Sequence, residues 1–345
     1  MLRFKPFRKE INMVPIDLVT GASGLLGGNL VRSLASNGRR VRILLRKSSK
    51  TFHINDIPGL ERVEGDITDP ASLRRALTGV ENVYHCAAKV TISRKMSESI
   101  WRTNVIGTEN ILEEARQAAI RRLVFCSSVD AIGLSHGQQS SDENTPWNWD
   151  ALGLETAYAR SKYEAQKRVL AAAQNGLEAV VVCPTFMLGA YDPHPSSGQL
   201  ILSVAQNRVL PGMPGGNNFV DVEDVVTGMQ TAAYKGQPGE IYILGNHNLP
   251  YQQIFEIIAG VLHKKRISLP VPYCAARLAG WAGDLYEKVS GQEASLNTAM
   301  AKLGYIHHYY DATKAVRELN LPQSSLEMAI IRAVNWFKHV GMLAA

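Results

Sequence analysis

Tyr158 and Lys162 stand four residues apart in Tyr158-Ala159-Arg160-Ser161-Lys162, a stretch that runs into a helical pattern through Ala173. Tyr163, Val169 and Leu170 mark its apolar side. On a helix this spacing puts phenol and ammonium on one face. A free phenol titrates at about pH 10 and is a poor acid–base catalyst at neutral pH. An ammonium beside it favours the phenolate and is expected to lower that value. The tyrosine can then exchange a proton with a substrate oxygen while hydride moves to or from a nicotinamide. Upstream, the buried-type run Arg122 to Cys126 ends in Ser127-Ser128. The Ser128 hydroxyl would hold the same oxygen. Ser128, Tyr158 and Lys162 are the catalytic candidates.

Such a trio needs a scaffold that brings a nucleotide to it. Thr20-Gly21-Ala22-Ser23-Gly24-Leu25-Leu26-Gly27 follows the short strand pattern Ile16 to Val19 and precedes an amphipathic helix marked by Leu26, Leu30, Val31 and Leu34. Strand, glycine turn and helix are the setting of a dinucleotide loop. Gly21 and Gly24 permit a tight turn and close approach to a pyrophosphate; Gly27 permits close packing of helix on strand. Backbone groups from Gly21 through Ser23, Leu25 and Leu26 to Gly27 would face the phosphates at the helix N-terminus. The second strand, Val41 to Leu45, ends in Arg46-Lys47-Ser48-Ser49. An NAD-specific site carries a carboxylate there. A guanidinium instead suits a 2′-phosphate, so NADP(H) is favoured, with NAD(H) possible.

Asp66-Ile67 follows the third strand at the same sheet edge and can meet an adenine; Asp66 or Asp69 can equally cap the helix starting near Pro70. The fourth strand, Asn82 to Cys86, opens into Ala87-Ala88-Lys89, small residues that let a flat ligand approach. Asn104 lies within the next helical stretch, Glu98 to Ala118, and either bridges backbone groups of the neighbouring strands or faces water.

The chain of 345 residues has a mild formal charge of +6. Scattered basic residues give no nucleic-acid footprint, and no apolar run is long enough for an integral membrane span. Met1 to Met13 carries basic residues around two phenylalanines without the apolar core of a secretory signal, so residues 1–14 are expected to be a flexible tail. Cys86, Cys126, Cys183 and Cys274 lack metal or redox spacing and read as buried free thiols of a reducing cytoplasm. His307-His308 has no companion ligands, and no metal is expected. Leu278, Trp281 and Leu285 form an apolar stripe in the helical stretch Tyr273 to Val289. Stripes of this kind usually face a core or a partner, a membrane surface being the alternative.

On these motifs the chain resembles the extended short-chain dehydrogenase/reductase family, within the NAD-dependent epimerase/dehydratase superfamily. Thr20 to Gly27 is similar to its TGxxGxxG, Ser128, Tyr158 and Lys162 to its triad, and Phe219 to Val225 to a late structural signature. Glu64-Gly65-Asp66, Thr103-Asn104-Val105 and Ser127-Ser128-Val129 resemble the dihydroflavonol 4-reductase-like branch, which includes 3β-hydroxysteroid dehydrogenases. The resemblance implies an α/β fold with a doubly wound parallel (Rossmann) sheet over residues 15–184, to which 219–245 returns. A smaller substrate lobe would comprise 185–218 and 246–345. It also implies cofactor contacts at Asn104, Pro184, Thr185 and Met187 beside those above, and a homodimer through the two long helices. Where family sugar-nucleotide enzymes tend to carry Arg-x-x-Asn, this chain has Cys183 and Phe186, and Phe186-Met187-Leu188 offers an apolar wall. The expected reaction is NADP(H)-dependent reduction of a ketone or aldehyde on a fairly apolar small molecule, or oxidation of the secondary alcohol. A nucleotide-sugar epimerase or dehydratase, and a non-catalytic dinucleotide sensor, are the alternatives.

Overall fold

The computed structural model describes residues 15–344; the tail expected over 1–14 lies outside them. The chain starts with β1 (Ile16–Thr20), buried at every residue, and α1 (Leu25–Ser36). β2 (Arg40–Leu45), β3 (Glu61–Glu64), α2 (Pro70–Leu77) and β4 (Val80–His85) follow. Asp69 caps α2 by accepting from Ala71 N and Ser72 N, with Pro70 in the first helical position. The stretch read as one helix from Glu98 to Ala118 is divided: α3 (Glu98–Trp101), a π-helical turn over Arg102–Ile106, then α4 (Gly107–Gln117). β5 (Arg122–Cys126), α5 (Ala157–Gln174) and β6 (Ala179–Pro184) complete the first half.

The next segments are β7 (Phe186–Leu188), α6 (Gln199–Gln206), β8 (Val209–Gly212) and β9 (Gly216–Asp221). α7 (Val222–Lys235), packed against α1, β5 and β6, and β10 (Ile241–Leu244) return to the first half. β11 (His247–Pro250), α8 (Tyr251–Val261), β12 (Ile267–Pro270), α9 (Tyr273–Ser290) and α10 (Thr298–Leu303) follow. β13 (His307–His308), α11 (Thr313–Leu319) and α12 (Leu326–His339) close the chain.

Seven parallel strands form the main sheet in the order β10-β6-β5-β4-β1-β2-β3. Helices on both faces explain why β1 and β6 are buried at every position. The direction of chain progression reverses between β1 and β4, and the crevice outside their carboxyl ends is where a dinucleotide belongs. A second hydrophobic cluster, including Phe186 at its edge and Phe219, Ile254, Ile330 and Phe337 within it, supports the smaller lobe. There β9 pairs with β7, β11 and β13, and β8 pairs with β12.

Candidate active site

The glycine turn is shaped by its neighbours. Gly21 has φ +77°, and a Cβ there would sit 2.6 Å from the Ala87 nitrogen. A Cβ on Gly27 would lie 2.2 Å from the Gly21 carbonyl oxygen, so α1 seats directly on the turn. Gly24 differs: its nearest neighbour would be the Gly21 oxygen at 3.6 Å, ordinary contact with room around it. No protein atom demands a glycine there; the approach of a phosphate would. α1 starts at Gly24 without a side-chain cap and without an acidic residue in its first turn. Its N-terminal N–H groups therefore suit an anion. Leu25 and Leu26 bury their side chains, leaving only backbone to a ligand, while Ser23 is half-buried at the turn. The residues present thus fit a pyrophosphate.

At the end of β2, Arg46 and Lys47 are exposed, and neither side chain makes a hydrogen bond among the described residues. Arg46 N donates to Ser49 Oγ at 3.1 Å, which holds the turn that carries both cations. Asp66 Oδ1 accepts from Thr68 N and Thr68 Oγ1, each at 2.9 Å, since Asp69 has taken the capping role. Ile67 is buried against Gly107, and its carbonyl accepts from Asn110.

The three candidate residues meet at the carboxyl end of β5, Ser128 following it and α5 carrying Tyr158 and Lys162. Ser128 caps a short 3-10 turn, its Oγ accepting from Asp130 N at 3.2 Å. Thr156 caps α5, its Oγ1 accepting from Ala159 N, and so fixes the start of the helix that carries Tyr158 and Lys162. Lys162 is 3% exposed, with its Nζ 2.5 Å from the Cys126 carbonyl and 4.7 Å from the Phe125 ring centroid. Burial lowers its ammonium pKa. The expectation of a depressed Tyr158 pKa needs correction. Packing around the phenol pushes it well above the ordinary tyrosine value, with Asp130 and Cys126 acting in the same direction. The Lys162 ammonium is spent on the Cys126 carbonyl at the end of β5, so desolvation sets the direction.

Asn104 resolves its two readings in favour of bridging. From the π-helical turn its Oδ1 accepts from Lys89 N at 2.7 Å, and its Nδ2 donates to Lys89 O and to Ser161 Oγ. Ser161 Oγ in turn donates to Tyr158 O. One side chain thereby ties the loop after β4 to the helix carrying the phenol. Ala87 and Ala88 are half-buried and Lys89 exposed on that loop, with Lys89 Nζ 2.8 Å from Ser99 Oγ. Pro184 and Thr185 are buried at the end of β6, while Phe186 and Met187 keep part of their surface open. Among the described residues the four cysteines are free, but only Cys183 is fully buried and Cys274 is exposed, a departure from the expectation.

Asp130 was not singled out by the sequence pattern. Burial raises its carboxyl pKa to about 6, against the pull of Lys162. Its charge is felt by Tyr158, and by Tyr251 and Tyr310 from the smaller lobe. Tyr310 Oη donates to Val129 O at 3.3 Å. Position two after Ser128 was the available signal; its environment comes from residues far along the chain. Beside Lys89 a cavity of about 810 Å³ is bordered by Thr91, Ser93, Glu155, Glu287 and Glu293. No group of side chains suited to a metal occurs among the described residues, and no described helix is long and apolar enough to cross a membrane.

Residues 18–245 match the NAD dependent epimerase/dehydratase family. A putative dihydroflavonol 4-reductase of Synechocystis is 35% identical over 96% of this chain and 97% of its own. Sterol demethylase protein B of Methylococcus capsulatus is 33% identical over 94% of this chain and 99% of its own. The crystal structure of gox2253 superimposes with a TM-score of 0.83 at 29% identity, covering 95% of this chain and 99% of that one.

Proposed function

The chain belongs to the NAD dependent epimerase/dehydratase family and is an extended short-chain, NAD(P)-dependent oxidoreductase, and we propose that it uses NADP(H) to reduce a ketone or aldehyde of a fairly apolar small molecule, or to oxidise the secondary alcohol. The observation that carries this reading is buried Lys162, its ammonium held on the Cys126 carbonyl one helical turn from Tyr158, with Ser128 two residues beyond that strand end. Phe186, standing where sugar-nucleotide enzymes of the family tend to carry asparagine, and its neighbour Met187 are both partly open and support an apolar substrate. So do the names of the two relatives, a dihydroflavonol reductase and a sterol demethylase protein. Exposed Arg46 and Lys47 support the 2′-phosphate.

A nicotinamide bound across the strand ends would supply the hydride. Ser128 Oγ donates to the substrate carbonyl oxygen and polarises it. Tyr158 Oη gives its proton to that oxygen as the alkoxide develops. Lys162 stabilises the phenolate left behind and would reach the ribose hydroxyls. A phenol with a raised pKa stays protonated at neutral pH, which suits a proton donor. Free thiols fit a reducing cytoplasm, and we read the enzyme as a homodimer through the α3–α4 and α5 face.

Purified protein mixed with NADPH and a panel of apolar ketones and aldehydes, flavanonols and steroids among them, should show net loss of nicotinamide absorbance. The rival, rearrangement of a nucleotide sugar without net redox change, draws on Asp130 as a second ionisable group beside Tyr158. A tightly held copurifying nicotinamide and turnover of a UDP-sugar without absorbance change would favour that rival.

A further inference from the structure

α9 is turned inside out. The stripe Leu278, Trp281 and Leu285, expected against a core or partner, is 67%, 61% and 46% exposed, and Val289 extends it at 80%. The buried side of the helix consists of small and acidic residues instead. Ala276 and Gly280 are its buried positions. A Cβ on Gly283 would lie 1.8 Å from the Leu296 carbonyl oxygen, so the helix backbone is pressed onto the 294–298 segment. Asp284 accepts from Thr298, and Glu287 accepts from Ser93 Oγ and Ala294 N. Both carboxylates of α9 are thus used inward, whereas both of its cations, Arg277 and Lys288, are exposed with the apolar stripe. Tight backbone packing holds the helix in this orientation; the stripe cannot turn inward without losing those contacts.

The approach to α9 has the same character. His263, Lys264 and Lys265 are exposed at the turn before β12. β12 and its partner β8 leave Ile267, Leu269 and Val209 about half exposed, and β12 leads through Val271-Pro272 straight into α9. Large apolar side chains flanked by cations, with the carboxylates withdrawn, complement an anionic lipid interface: the apolar groups enter the acyl boundary and the cations meet the headgroups. We propose that α9 docks the enzyme onto the surface of an anionic lipid bilayer. The inference does not depend on the reaction, since binding is read without substrate or cofactor.

Docking would also lie next to the cleft. Glu293 Oε1 accepts from Thr91 Oγ1 and Ile92 N, each at 2.6 Å, and Asn297 Nδ2 donates to Ile92 O at 2.6 Å. Ser93 O in turn accepts from Ala157 N, the residue before Tyr158.

The test is co-flotation of the full chain with phosphatidylcholine vesicles, with and without phosphatidylglycerol. Binding should rise with phosphatidylglycerol and fall with added salt. The triple substitution Leu278→Ser, Trp281→Ser, Leu285→Ser should lower partitioning at least about tenfold. Arg277→Glu with Lys288→Glu, which leaves the apolar face intact, should abolish the gain from phosphatidylglycerol. Circular dichroism establishes that each variant is folded. Absence of vesicle binding, or binding indifferent to both sets of substitutions, would overturn the proposal. So would a lipid-free dimer that the triple substitution dissociates, because the stripe would then belong to a second copy of the chain.

Discussion

The Lys162 ammonium lies 2.5 Å from the Cys126 carbonyl oxygen at the end of β5. The lysine is therefore anchored to the sheet, one helical turn from the phenol it is expected to assist. Lys162→Met should lower kcat by about 10² or more, because it removes the charge that stabilises the phenolate. It should also weaken cofactor binding through the ribose. Isothermal titration with NADPH beside steady-state kinetics separates the two effects. A kcat unchanged with only weaker binding would confine the lysine to the ribose.

Asp130 links the stability of the fold to pH. Its carboxyl is raised to about 6 in the folded protein, above the ordinary aspartate range of about 3.9. Between those values the folded chain holds a proton that the unfolded chain releases, so stability falls as pH rises through this window and the penalty persists above it. Asp130→Asn should therefore have a higher Tm than the parent above about pH 7, with the gap narrowing below about pH 5. The carboxylate also raises the Tyr158 pKa. In alcohol oxidation the same substitution should move the alkaline rise of kcat/KM to lower pH. An unmoved profile would place Asp130 outside the field of the phenol.

Arg46→Ala should reduce NADPH affinity by about tenfold to a hundredfold and leave NADH affinity nearly unchanged, since the guanidinium is assigned to the 2′-phosphate. Titration of both cofactors into both proteins reads the ratio directly. Equal losses for the two cofactors would remove the basis for an NADP(H) preference.

Gly24 and Gly27 should separate binding from folding. A methyl at Gly24 meets nothing closer than 3.6 Å, whereas one at Gly27 would lie 2.2 Å from the Gly21 oxygen. Gly24→Ala is expected to melt like the parent yet bind NADPH weakly. Gly27→Ala should lose roughly 1–3 kcal/mol of stability from overpacking. Thermal melts with and without NADPH distinguish the two. Normal cofactor affinity in Gly24→Ala would mean that no phosphate approaches that residue.

Much of this architecture is legible locally. Ile16 to Gly27 states strand, turn and helix in twelve residues, and Tyr158 with Lys162 declares a shared face by spacing alone. The π-helical turn at Asn104 is not legible, because apolar periodicity continues across it and only the bonds to Lys89 and Ser161 reveal what it does. The Asp130 environment depends on Tyr251 and Tyr310, more than a hundred residues away. For α9, the period of Leu278, Trp281 and Leu285 identifies a helix but not which face turns inward. That choice rests on glycines at 280 and 283 seating against the 294–298 segment.

The measurement closest to the central claim is turnover of NADPH with an apolar ketone by the parent and by Tyr158→Phe, alongside NADPH binding to each. Net cofactor oxidation is expected for the parent and a loss of roughly 10²–10⁴ in kcat for the variant, with cofactor affinity nearly unchanged. Full activity in Tyr158→Phe, or rearrangement of a nucleotide sugar with no net cofactor oxidation, would contradict that claim.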